Sequence, residues 1–206
     1  MVKNAVSHKP GDIVKLGGID FVVLDNNMAG SSAEPETLFI LAVNSQGRSR
    51  FGDSNNYAVS ELREAVMDWL TMMVDEKGVD LDAIKPRVMD LLTLDGYTGY
   101  GTLEVKAAPL TLDEARKYAD IIPECDEWTW LVTGWGRPGN VGSGGAWRVD
   151  SNGGYYSNYC SDSYGIRPAL VVPSFLLDSE DGMDLSEVST DDLLAELKRR
   201  IEGDEA

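Results

Sequence analysis

The chain has 206 residues, 43% of them hydrophobic and 26% charged, which is enough apolar material for a compact core and too much for a disordered chain. Its formal charge of −17, from 35 acids against 18 bases, argues against nucleic acid and anionic membranes as partners, because every phosphate contact needs a lysine or arginine. No run approaches the roughly 18 apolar residues of a membrane-spanning helix. Residues 1–12 also lack the apolar stretch of a secretory signal, so synthesis in a cytoplasm is expected, with a virion component an open alternative.

Residues 12–25 read as a hairpin, with Ile13 and Val14 before the Gly17-Gly18 turn and Ile19, Phe21, Val22, Val23 and Leu24 after it. A polar loop over 26–36 leads to a third strand over 37–43, and 44–56 is a second loop. Ser60 caps a helix running to about Val74, in which Leu62, Val66, Trp69, Leu70 and Met73 share one apolar face that reads as core. Residues 77–108 read as irregular because of Pro86, Gly96, Gly99 and Gly101. Thr111-Leu-Asp-Glu114 matches a capping box, opening a helix with Ala115, Tyr118, Ala119 and Ile122 on its buried side and Pro123 at its end.

Beyond Pro123 the texture changes. Residues 128–132 alternate as a strand, 134–145 form a glycine-rich loop, 146–150 and 154–159 are short strands, and 166–172 is a buried apolar strand. The chain thus divides into an N-terminal tail over 1–8, a domain over 9–178, and an acidic linker with a C-terminal helix over 179–206. In that last stretch Leu194, Leu197 and Ile201 give 190–201 a helical stripe, capped by Ser189 or Thr190. Eleven acids against three bases over 178–206 place about half of the negative excess there. The expected class is α+β.

Catalytic chemistry is thinly represented. His8 is the one histidine, and Cys125 and Cys160 lie 35 positions apart, which is neither a zinc nor a redox spacing and favours free thiols. Gly134-Trp-Gly136-Arg-Pro-Gly139 matches a dinucleotide fingerprint in letters only, since Pro138 and further glycines follow where a helix must begin. Asp150-Ser-Asn152-Gly-Gly154 resembles the start of a calcium loop, but Tyr155 stands where its turn glycine belongs and Ser161 where its bidentate glutamate belongs. An Asn-Gly turn is the simpler reading. No cofactor and no metal are expected, and no enzymatic activity.

Residues 149–164 stand apart: four tyrosines, four serines, two asparagines and two glycines fill twelve of sixteen positions. Binding loops have this composition, because tyrosine offers large contact area at low entropy cost while small polar residues supply adaptable hydrogen bonds. An edge strand with one wet face is the competing reading. Trp147 and the run 165–172 tilt the balance toward binding, since both can anchor the segment's ends in a core.

The order Trp130-Leu-Val-Thr-Gly-Trp135, Trp147-Arg-Val-Asp-Ser-Asn-Gly-Gly154 and Gly165-Ile-Arg-Pro-Ala-Leu170 resembles an uncharacterised domain family of gut bacteria and their phages. Upstream, Lys9-Pro-Gly-Asp12, Asp90-Leu-Leu-Thr-Leu-Asp-Gly96 with Tyr100-Gly101, and 110–118 agree, so the likeness covers about residues 9–178. The Gly-x-Arg-Pro-Ala ending is also similar to the variable proteins of diversity-generating retroelements, which carry a C-type-lectin-like fold related to formylglycine-generating enzymes. That resemblance implies a ligand-binding face just before Gly165, randomised at adenines of asparagine codons. Such randomisation never yields Lys, Glu, Gln, Met or Trp, and none occurs over 149–164. On this view Cys160 is an accident of diversification in an exposed loop. Neither the cysteine roles of the enzymes nor the calcium motif of lectins carries over to this chain.

The first expectation is therefore a non-catalytic protein that binds a protein or glycan on a cell surface. Its shallow face would be made by Asn140, Ser143, Arg148, Asp150, Asn152, Tyr155, Tyr156, Asn158, Tyr159, Asp162 and Tyr164. The alternatives are an assembly component that docks a partner through residues 190–201, and an enzyme on the same scaffold using carboxylates such as Asp150 and Asp162.

Overall fold

The computed structural model describes residues 8–26 and 37–178. Residues 1–7, nearly all of the 26–36 loop, and the linker and helix expected over 179–206 lie outside the described residues. Strands β1 (Ile13–Leu16) and β2 (Ile19–Asn26) form the expected hairpin. Gly17 and Gly18 take φ of 59° and 78°, the left-handed pair that a tight two-residue turn requires. Strand β3 (Thr37–Ala42) pairs antiparallel with β2.

Two stretches expected to lack regular structure contain strands. The 44–56 loop holds β4 (Arg48–Arg50), whose polar Arg-Ser-Arg carries no hydrophobic period. Residues 77–108 hold β5 (Arg87–Asp90), β6 (Thr102–Val105) and β7 (Ala107–Ala108), the first two joined as a ribbon. Between these stretches, helix α1 (Glu61–Asp75) starts where Ser60 Oγ accepts from the Arg63 amide at 3.0 Å, and its five apolar-face residues are all buried.

Helix α2 (Leu112–Lys117) opens with the capping box, Thr111 and Glu114 each accepting from the other's backbone amide. It ends earlier than Pro123. Tyr118 already leaves helical geometry, its ring packing edge-on against Phe39 and its hydroxyl donating to Asp25 at 2.9 Å. Ala119 is in consequence exposed rather than buried. The remaining strands are β8 (Thr129–Gly134), β9 (Gly145–Val149), β10 (Tyr155–Tyr159), β11 (Ser163–Gly165) and β12 (Ala169–Pro173).

The architecture is α+β, two five-stranded sheets with the orders β1-β2-β3-β12-β7 and β10-β9-β8-β11-β4. The first sheet is buried on both faces. Phe21, Val23, Leu38, Ile40 and Leu170 meet α1 on one side, and Val22, Phe39, Leu41 and Val171 meet α2 on the other. That two-sided burial explains why β3 and β12 read as unbroken apolar runs rather than as alternating strands. The second sheet shares the main core through Trp130, Val132 and Ala146 and ends at β10, an edge strand.

One buried amide locks the glycine-rich loop to this frame. Asn55 Nδ2 donates to the carbonyls of Gly136 (2.8 Å) and Gly142 (3.3 Å), and its Oδ1 accepts from the Tyr100 hydroxyl at 2.7 Å. Gly134 must be glycine for this contact, because a Cβ there would meet Asn55 at 2.8 Å. Asn55→Ala should therefore cost roughly 2–4 kcal/mol, three hydrogen bonds at about 1 kcal/mol each. Urea titration checks it, and an unchanged midpoint would deny the amide this role.

Candidate ligand-binding site

The segment 149–164 is not a free loop: it runs from the end of β9 through a turn and β10 into β11. Asp150 Oδ1 accepts from the amides of Asn152 (2.9 Å) and Gly154 (2.7 Å), and Gly153 takes a φ of 86°, so Asp150-Ser-Asn-Gly-Gly is a hydrogen-bonded turn between β9 and β10. Among the described residues there is no cluster of His, Cys, Asp and Glu suited to a metal ion.

Strand pairing then sorts the tyrosines. Tyr156 lies opposite Arg148, and Arg148 lies opposite Trp130, so these three stand side by side on one face of the sheet. Tyr155, Ser157 and Tyr159 alternate to the other face. There the Tyr155 hydroxyl donates to the Ala115 carbonyl at 2.9 Å and its ring packs beside α2, a scaffold role.

On the first face Arg148 is the centre. Its side chain is only 5% exposed and is boxed by aromatic rings. The guanidinium carbon lies 3.6 Å from the Trp128 ring centre, 5.0 Å from that of Tyr164 and 5.2 Å from that of Tyr156. Tyr164 in turn packs edge-on against Trp130, centroids 4.9 Å apart. The outer walls are open to solvent, Trp128 at 43% and Tyr156 at 51% exposure. Beside them Asn158 Nδ2 donates to Asp162 at 2.8 Å and to the Tyr164 hydroxyl.

Within the box, Arg148 Nε and Nη1 are sealed from solvent and make no hydrogen bond. A sealed donor without a partner costs about 1–3 kcal/mol, while each ring face returns on the order of 0.5–2 kcal/mol to the cation. The rings therefore tolerate the charge but do not replace a counter-ion.

The eleven residues expected to share one surface divide among five places. Arg148, Tyr156, Asn158, Asp162 and Tyr164 converge at the box. Tyr159, 76% exposed, flanks an open groove of about 400 Å³ with Trp135, Val141 and Ser157. Asp150 and Asn152 belong to the turn, Tyr155 to the scaffold, and Asn140 and Ser143 to the glycine-rich loop. Trp128 and Trp135 escaped the sequence reading, although both sit at the ends of the Trp-rich strand that drew attention to this half of the chain. The carboxylates Asp150 and Asp162 are tied into different local networks, Asp150 to the amides of Asn152 and Gly154 and Asp162 to the side chain of Asn158.

Cys160 overturns an expectation. Far from standing in an exposed loop, it is 2% exposed and packs in the main core, because its amide donates to the Gly144 carbonyl and its carbonyl accepts from the Gly52 amide, turning the side chain inward. Cys125 is buried as well, and both thiols are free. Burial pushes the Cys160 thiol from its ordinary 9.0 up to about 12, and it raises that of Cys125. The folded state thus favours the protonated thiols. Their contribution to stability is fully present below the ordinary value and drains away as pH rises from 9.0 toward about 12. Native protein at neutral pH should resist thiol reagents that modify both cysteines after unfolding. Cys160→Ala should flatten the alkaline loss of stability seen by urea titration, and fast labelling of the native chain would contradict the burial.

Compared with known proteins, the chain matches no family model, no curated protein and no solved structure.

Proposed function

We propose that this is a non-catalytic binding protein that presents the β9–β10 hairpin and its flanking tryptophans to a protein or glycan on a cell surface. One observation carries the reading: Trp128, Trp135, Val141, Tyr156 and Tyr159, large apolar side chains, are all exposed around a single edge hairpin. Trp128 and Tyr156 stand on one face of the hairpin and Tyr159 with Trp135 on the other; exposed aromatics mark interaction sites, and Tyr and Trp are the residues most often found as binding anchors. Asn158 and Asp162 add fixed polar groups beside the rings, which orient a ligand.

A C-type-lectin-like fold is part of this proposal. It is supported by the two helices, the short strands, and the return of β12 to pair with β3 in the N-terminal sheet. Retroelement diversification is likewise a proposal, and the geometry narrows where it would act. Tyr156, Asn158, Tyr159 and Asp162 are free to vary, whereas Tyr155 and Cys160 serve the scaffold. Sequencing the gene across a passaged population should find changes at adenines of the first four codons. Changes spread evenly through the gene, or none at all, would remove diversification from the reading.

The binding reading itself is tested by Tyr156→Ala together with Tyr159→Ala. With labelled full chain on panels of intact bacterial cells and immobilised glycans, the double variant should bind about thirtyfold more weakly or worse, since a single such anchor contributes about 2 kcal/mol or more. Its Tm should stay close to that of the parent chain. Retained binding, or a collapse in Tm showing that the rings are core, would sink the proposal.

A further inference from the structure

Arg148 differs from every other arginine among the described residues. Arg48, Arg50, Arg87, Arg116 and Arg137 each face a carboxylate, while Arg63 and Arg167 donate to backbone carbonyls. Arg148, more than nine-tenths buried, has only ring faces around it and two nitrogens without an acceptor. Scarcity does not explain this, because the chain carries 35 acids and Asp162 lies close enough to bond Asn158 and yet forms no ion pair with Arg148. A buried cation kept without a counter-ion beside exposed rings is prepared for an anion from outside.

We infer that the hairpin site takes an acidic sugar. Its carboxylate meets the Arg148 guanidinium at Nη2, the nitrogen that the rings leave unsealed, its C–H face lies on Trp128 or Tyr156, and its hydroxyls bond the Asn158–Asp162 pair. The inference deepens the binding reading above and rests on it. Each part of the ligand answers a feature of the site. A carboxylate answers the Arg148 charge and its Nη2 donor better than any neutral group does. The half-exposed indole and phenol offer flat apolar surface of the size of a pyranose ring. The bonded amide and carboxylate, 2.8 Å apart, leave a carbonyl oxygen and a second carboxylate oxygen as acceptors for adjacent hydroxyls. An acidic peptide would satisfy Arg148 but makes less use of those paired acceptors.

The test is a tryptophan-fluorescence titration of the full chain with D-glucuronate, D-glucose, inorganic sulfate and N-acetylglutamate amide, since Trp128 stacks directly on the guanidinium. Glucuronate should saturate the signal at a concentration at least tenfold below glucose, sulfate or the glutamate probe. Arg148→Met should abolish the preference for glucuronate over glucose and unfold at the same temperature as the parent chain or higher, because it removes an uncompensated buried charge from an apolar box. Should that variant fail to fold, Arg148→Lys, which keeps the charge but loses the planar donor set, should narrow the preference without erasing it. Equal binding of glucuronate and glucose, a preference that survives Arg148→Met, or a lower Tm for a folded Arg148→Met would overturn the inference. Sulfate binding as well as glucuronate would reduce the site to an unspecific anion seat, and equal glutamate binding would make the ligand a peptide. In any of these cases the Tyr156 and Tyr159 double variant still decides the broader binding reading by itself.

Discussion

The Trp130 indole is the contact on which the rest of the second sheet depends. It is fully buried, its ring meets Phe51 edge-on at 5.5 Å and Tyr164 at 4.9 Å, and its Nε1 donates to the Ser49 carbonyl at 3.0 Å. One side chain therefore ties β8 to β4 and β11 and passes the rigidity of the main core to the wall of the aromatic box around Arg148. Because Tyr164 is braced from below, Trp128 and Arg148 can stack on it without a hydrogen bond of their own to hold them. Aromatic rings suit this task, since they fix position through area and quadrupole rather than through polar groups that would need partners.

The glycine-rich loop next to the hairpin is held by different means. Asn55 grips it at the Gly136 and Gly142 carbonyls, and Asp95 grips it at Arg137, accepting from both the backbone amide and Nε. The Thr93 hydroxyl and then Arg137 hold the Asp95 carboxyl well below the usual carboxylate range, so this anchor stays ionised at any physiological pH. Trp135 closes over the loop, its ring so near Gly142 that a Cβ there would stand 3.0 Å away. These glycines allow close ring-to-backbone packing, and no helix begins among them.

How much of this was legible in the sequence varies with the length scale of the interaction. Ser60, the Thr111–Glu114 box and Gly17-Gly18 act within a few residues, and each appears where its pattern places it. The Tyr, Ser and Asn composition likewise located the hairpin. Its division into faces was hidden, because the period of two separates Tyr155 from Tyr156 but does not say which side meets the core. That choice follows from the pairing of β9 with β8 and from the irregularity between Trp130 and Gly134, both long-range facts. Strand β4 was invisible for a related reason: Arg48, Ser49 and Arg50 are held by backbone pairing to β11, and their side chains carry no apolar signal. Cys160 looked exposed for want of any local cue that its backbone is pinned on both sides.

The two sheets consequently differ in how completely their polar groups are satisfied. The first sheet buries both faces against helices, and its strands offer little unpaired chemistry. The second keeps a polar, aromatic edge whose next strand inward, β9, carries unpartnered nitrogens at both Trp147 and Arg148. Adjacent residues on one strand point to opposite faces, so this deficit appears on both sides of the same hairpin. Sequences fitted to their fold satisfy buried polar groups almost everywhere, and the exceptions gather where function requires them. Tyr57, Arg63, Trp69 and Arg87 each leave one sealed polar atom unpartnered as well, but Arg148 leaves two, and among the described arginines it is the one whose side chain meets neither a carboxylate nor a carbonyl.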